Sequence, residues 1–93
     1  MGMKEKELER VLKALANKRR LAIINLLSNN KGMSVGDIAS DIKLSFRATS
    51  KHLAILTAAD ILEKEQRSTR IFYSISKDSP DKTKQIVRTL LST

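Results

Sequence analysis

The 93-residue chain has no cysteine. That excludes a disulfide framework, a thiolate metal site and a cysteine nucleophile. It has a single histidine, His52, and one histidine cannot found a zinc-type site, which needs several converging N, S or O ligands. No acid lies close to His52 in sequence, and there is no nucleophile motif and no glycine-rich phosphate loop. The expectation is therefore no enzyme and no cofactor. No apolar run approaches bilayer-spanning length. No charged-then-apolar leader opens the chain, because Glu5, Glu7 and Glu9 interrupt it, so cytoplasm is the expected compartment and no membrane partner is expected. Aromatic residues are scarce: only Phe46, Phe72 and Tyr73 could stack on bases, which argues against a reader of single-stranded RNA. With three glycines, one proline, no repeat and no linker, the whole of 1–93 reads as one unit.

What the chain does have is positive charge. Its formal net charge is +8, which favours a polyanionic partner, nucleic acid first. A domain of this length buries roughly 60–70% of its unfolded surface. It folds alone only marginally, and a second subunit would add burial.

The pattern of apolar residues supplies the elements. KEKELERVLKALA (4–16) places Leu8, Val11, Leu12 and Leu15 on one helical stripe. Asn17 then suits an N-cap for a helix over 18–28, with Leu21, Ile24 and Leu27 on one side and Ile23 and Leu26 widening a largely buried face. NNKGM (29–33) reads as a loop. Ser34 and Asp37 fit a capping box opening a short helix whose apolar side is Val35, Ile38, Ala39 and Ile42. Lys43 and Leu44 make a tight turn, and Ser45 caps a fourth helix over 46–59. Two short helices joined this way form a helix-turn-helix. The segment ILEKEQRSTRIFYSIS (61–76) reads as a β-hairpin with its tip at 67–69. Ser79-Pro80-Asp81 then starts a last helix with Pro80 at its first position. The expected fold is mostly α with a small hairpin, a winged helix-turn-helix in the order α-α-α-α-β-β-α.

The fourth helix carries the chemistry. In SFRATSKHLAIL (45–56), Leu53 and Leu56 face the core with Ala48, Thr49 and His52 beside them. Arg47, Ser50, Lys51 and Ala54 fall opposite. No acid occurs between Asp41 and Asp60, whereas a helix made only for water usually mixes both signs. Short residues beside cations let a helix sit deep in a major groove, where Arg or Ser reaches base edges. Lys43 and Lys51 suit phosphates. The hairpin repeats the theme over 63–71: Lys64, Arg67 and Arg70 with the hydroxyls of Ser68 and Thr69 suit a minor groove or flanking phosphates, diluted by Glu63 and Glu65. The alternative is a hairpin whose charges pair among themselves. A histidine held near phosphate would gain a proton more readily, giving DNA binding a modest pH dependence. Lys18, Arg19 and Arg20 oppose the macrodipole at their helix start. They are either phosphate contacts or a solvated end with Arg20 paired to an acid.

The terminal helices, about 4–16 and 80–92, carry Leu8, Val11, Leu12 and Leu15, and Ile86, Val87, Leu90 and Leu91. These stripes either cover the monomer core or, as the favoured reading, form the seam of a homodimer.

The elements LKALANKRRLAIINLL (12–27), MSVGDIASDIKLSFRATSKHLAIL (33–56) and ILEKEQRSTRIFYSI (61–75) together resemble the ArsR-type winged-helix transcriptional regulators. The SKHLAIL element (50–56) is the most specific part. The resemblance implies a homodimer through the first and last helices, and a fourth helix in the major groove. It implies Phe46, Arg47, Ser50, Lys51 and His52 as recognition residues, Arg67 and Arg70 as wing residues, and a structural Arg20. Bound metals or other signals usually lower DNA affinity in this family. Here the metal-sensing Cys box is replaced by MSVGD (33–37), and the segment 81–93 has no histidine, so a metal-independent member is expected. The wing tip lacks the usual glycine. Phe46 stands where polar residues are common, and either touches a thymine methyl or packs back on Leu44. The leading expectation is a homodimeric, sequence-specific regulator, a repressor on an imperfect palindrome of double-stranded DNA. The alternative is a winged helix used as a protein-interaction module.

Overall fold

Asn17 decides where the second helix begins. Its side chain accepts hydrogen bonds from the amides of Arg19 at 2.9 Å and Arg20 at 3.1 Å, relieving two donors that a helix start leaves unpaired. In the computed structural model, which describes residues 4–92, the elements run α1 (Glu5–Leu15), α2 (Lys18–Asn29), β1 (Met33–Ser34), α3 (Val35–Ile42), α4 (Phe46–Ala58), β2 (Leu62–Arg67), β3 (Arg70–Ile75) and α5 (Asp81–Leu91). The ends of the expected 1–93 unit, residues 1–3 and Thr93, lie outside them. This is the winged helix-turn-helix anticipated, with one added strand. Met33 and Ser34 pair with Tyr73 and Phe72, so the sheet has three antiparallel strands in the order β1-β3-β2. Two residues are too few to show alternation, so the pattern reads as loop in sequence.

Local rules set the other boundaries. The Ser34 hydroxyl accepts from the Asp37 amide at 3.3 Å, the serine half of the expected capping box. α3 ends on Lys43, whose φ of 55° lies in the left-handed region. The amides of Leu44 and Lys43 return to the carbonyls of Ala39 and Ser40, a Schellman ending with lysine where glycine is usual. Ser45 then caps α4 through the Ala48 amide at 3.1 Å. Ser68, φ 58°, takes the left-handed position at the hairpin tip that glycine would otherwise fill. Pro80 is the residue flanking α5 rather than its first helical position, a shift of one residue at a fraying end.

Ile23, Ile24, Ile38, Leu53, Leu56 and Ile61 are the fully buried centre. Two expectations about burial need correction. Leu21 is 41% exposed, because α2 turns Ile23, Ile24 and Leu27 inward and Leu21 lies beyond that arc. Val11, Leu15 and Val87 belong to the protomer's own core, since α1 and α5 close it from outside. Only Leu8, Leu12, Ile86, Leu90 and Leu91 of the terminal stripes retain surface to offer a second chain.

The basic run at the head of α2 is also explained. Arg20 Nε donates to the Ala14 carbonyl at 2.6 Å and Nη2 to that of Lys13 at 3.3 Å. Both carbonyls end α1, where a cation is favoured by the macrodipole. Arg19 reaches the Ile42 carbonyl at the end of α3, at 3.4 Å. The partners are carbonyls, not the acid that one sequence reading supposes, and both arginines tie helices together.

Two glycines predict opposite outcomes. Gly32 has φ +67°, and a methyl group placed there would meet only ordinary contacts, whereas Gly36 is helical with nothing within 4 Å of such a methyl. Gly32→Ala is expected to destabilise by about 1–2 kcal/mol, the cost of a left-handed L-residue. Gly36→Ala is expected to stabilise by about 0.5–1 kcal/mol through unfolded-chain entropy. Urea unfolding at one protein concentration measures both, and shifts of the same sign would contradict this account.

Candidate nucleic-acid interface

The turn at Lys43 and Leu44 aims α4 outward along one face of the molecule. Thr49, Leu53 and Leu56 are buried and anchor that helix. The buried Thr49 hydroxyl is satisfied by the Ser45 carbonyl at 2.8 Å, which removes the penalty of an unpaired polar group. The opposite face presents Phe46, Arg47, Lys51, Ala54, Ile55 and Ala58 to solvent. Ser50 and His52 flank it, half-buried. Among the described residues the ion pairs are Lys13–Glu9 and Arg67–Glu65, so Arg47 and Lys51 face outward with no carboxylate partner. Ile55, 43% exposed, is an outward residue that sequence reading does not single out, because the surrounding Leu53 and Leu56 draw it toward the core.

The structure brings the hairpin tip to the head of this helix. Phe46, Thr69, Arg70 and Ile71 line one cleft together with Ser34 and Val35. Phe46 is 63% exposed. Both wing arginines are held against one ring: the guanidinium carbons of Arg67 and Arg70 lie 5.1 Å and 5.3 Å from the Phe72 centroid, within cation–π range. Arg70 also donates to Ser34 Oγ at 3.2 Å. Arg67 pairs with Glu65 at 3.1 Å. Within the hairpin Arg67 pairs with an acid, as the second reading has it, whereas Arg70 makes no ion pair among the described residues, although Asp37 lines the same cleft. Lys64, Ser68 and Thr69 are exposed beside them, as are Lys43 and Ser45 at the turn. In sequence Phe72 is no more than a possible stacking residue, and its role as a platform needs the cross-strand geometry.

His52 Nδ1 lies 3.2 Å from Arg20 Nη1. A guanidinium can only donate, so Nδ1 accepts and the proton of the neutral ring sits on Nε2. Burial lowers the His52 pKa from 6.5, and the charges of Arg20 and Arg19 lower it further. In the protein by itself the shift thus runs opposite to the phosphate-driven rise expected from sequence, because burial first and two guanidinia second disfavour the charged ring. Among the described residues, no group of three or more His, Cys, Asp or Glu side chains could hold a metal ion.

The comparisons fit this geometry. The family model for bacterial regulatory proteins of the arsR family matches residues 17–64. The transcriptional activator HlyU of Vibrio cholerae is 39% identical over 66 residues, covering 71% of this chain and 60% of HlyU, and its solved structure superposes with a TM-score of 0.79 at 32% identity, over 97% of this chain and 94% of that chain. The transcriptional repressor SdpR of Bacillus subtilis is 33% identical over 66 residues, 71% of this chain and 72% of SdpR. A homodimeric winged helix-turn-helix DNA-binding domain from Mycobacterium bovis, a possible ArsR-family regulator, superposes with a TM-score of 0.80 at 26% identity, over 99% of this chain and 87% of that chain.

The Arg20–His52 contact has a measurable sign. Below pH 6.5 the unfolded chain takes up a proton that folded His52 resists, so stability present above that pH is lost as pH falls through the lowered folded value. The thermal midpoint should therefore drop between about pH 7 and about pH 5 by more in the wild type than in His52→Gln. Carboxylates contribute equally to both proteins, so identical pH profiles would refute the coupling.

Proposed function

The chain belongs to the arsR family of bacterial regulatory proteins, and from that membership we propose that it works as a homodimeric repressor reading an imperfect palindrome in double-stranded DNA. The observation that carries this reading is the outward face of α4: it offers Arg47 and Lys51, in no ion pair among the described residues, beside Phe46, Ala54 and Ile55, with no acid from Phe46 to Ala59. Arg47 and Ser50 meet base edges, and Lys51 and Lys43 meet phosphates. Phe46 supplies an apolar contact of the kind a thymine methyl accepts. The neutral His52 ring donates through Nε2. Arg70 and Arg67, held over Phe72, follow the flanking duplex with Lys64, Ser68 and Thr69.

Pairing through α1 and α5 uses Leu12, 49% exposed, and Leu90, 40% exposed, with Leu8, Ile86 and Leu91 beside them. The named homodimer from Mycobacterium bovis supports a two-fold assembly. Two copies would set their α4 helices about 34 Å apart, one turn of duplex. Repression needs only that such a dimer occupy its operator. The relatives carry both names, HlyU an activator and SdpR a repressor, so a promoter–reporter fusion decides the sign. Regulation in this reading does not pass through a metal or a thiol, because the chain has one histidine and no cysteine. A cytoplasmic location follows from the DNA target.

Two measurements test the proposal. Affinity for selected duplexes should fall steeply with salt, and Arg47→Ala with Lys51→Ala should weaken binding by at least about 30-fold, since each contact is worth on the order of 1–3 kcal/mol. Salt-independent binding, or an unaffected double variant, would favour a protein-interaction module. Leu12→Glu with Leu90→Glu should give monomers by sedimentation and lose operator binding while remaining folded. A variant that stays dimeric would remove α1 and α5 from the seam.

A further inference from the structure

A cleft of about 400 Å³ opens between the base of the β2–β3 hairpin and α5. Ile61, Ile75, Val87 and Leu91 make its floor, and Lys77, Lys84 and Arg88 stand around it. The volume lies in the range of small-molecule sites, and so does the character: mostly apolar lining with a few polar groups placed at the edge. None of the three cations is in an ion pair among the described residues. Asp78 and Asp81 are close in sequence, but neither lines the cleft. Arg88 in the last turn of α5 gains something from the helix dipole, but that does not account for Lys77 and Lys84 meeting at the same opening.

The position matters as much as the charge. Lys84, Val87, Arg88 and Leu91 follow the i, i+3, i+4, i+7 spacing of one helix flank. Ile86 and Leu90 of the proposed seam lie on a different flank, and Leu91 borders both. Its floor also joins the wing: the Ser76 amide donates to the Ile61 carbonyl at 3.0 Å, and the Lys77 amide to Glu63 Oε1 at 2.9 Å. An occupant would rest on the strand ends that carry the hairpin.

From these features we propose that the cleft binds a free aliphatic carboxylate, its chain on the apolar floor and its anionic head among Lys77, Lys84 and Arg88. Apolar burial supplies the affinity and the cations select the sign of the head group, because exposed charge pairs alone are weak.

The test titrates octanoate into the full-length protein without DNA, followed by calorimetry and by methyl NMR, with 1-octanol as the neutral counterpart. Saturable binding is expected, with shifts at the methyls of Ile75, Val87 and Leu91. Octanol should bind about tenfold more weakly, as should octanoate to the Lys84→Gln, Arg88→Gln double variant, the effect of losing two or three partly exposed charge pairs. An unchanged thermal midpoint shows that the variant is folded, and the octanol comparison on the wild type needs no variant. Absence of saturable binding, equal affinity for acid and alcohol, or shifts confined to other parts of the chain would each overturn the proposal.

Discussion

Arg20 spans three helices with one planar group. It starts in the first turn of α2, donates to the last carbonyls of α1 and ends against the ring of His52 on α4. A guanidinium is suited to this task because its donors are fixed in a plane and never lose their charge. A lysine gathers its three donors on one atom and could not reach, as Nε, Nη1 and Nη2 do here, two carbonyls and an imidazole set apart from one another. Arg19 repeats the device toward the end of α3. The start of α2 is thereby the point on which the ends of α1 and α3 and the flank of α4 converge. The angle at which α4 leaves the body, and hence what its outer face can meet, depends on that junction.

The same junction shows how much of this molecule is legible from sequence. Caps are, because they act over three residues and use a short list of side chains: Asn17, Ser34 and Ser45 all bond the amides that local rules assign them. The helix-turn-helix and the hairpin follow from periodicity. What sequence does not supply is which of several apolar residues on one helix turns inward. Leu21 and Leu12 point out, while Val11, Leu15 and Val87 fill the protomer. That choice is made by the helices packed against them, which a stripe on one helix cannot report. The partners of Arg20, the pairing of Met33 with Tyr73 and the stacking of two arginines on Phe72 are likewise contacts between distant segments. At the candidate interface, the residue types are legible and their company is not.

Charge in this protein is sorted by task rather than spread. Arg19 and Arg20 are spent on carbonyls, Arg67 is answered by Glu65, and Arg70 is held by a ring and a hydroxyl. Arg47 and Lys51 on α4, and Lys77, Lys84 and Arg88 around the α5 cleft, have no acid partner among the described residues. A net charge of +8 therefore overstates how many cations are available to a ligand. The long-range field still draws a polyanion in from any direction, and the outward face of α4 adds Arg47 and Lys51, which make no ion pair among the described residues.

The sheet order β1-β3-β2 leaves β2 on the outside. An unpaired strand invites another chain to extend the sheet, and growth of that kind leads to fibrils. Past the buried Leu62, the outer rim of β2 is Glu63, Lys64, Glu65, Gln66 and Arg67. Alternating signs and no branched aliphatic side chain make it a poor template for edge-to-edge addition, because an incoming strand would have to strip water from those charges. The hairpin is thus free to project into solvent without becoming adhesive, and β2 does not recruit further copies into a growing sheet.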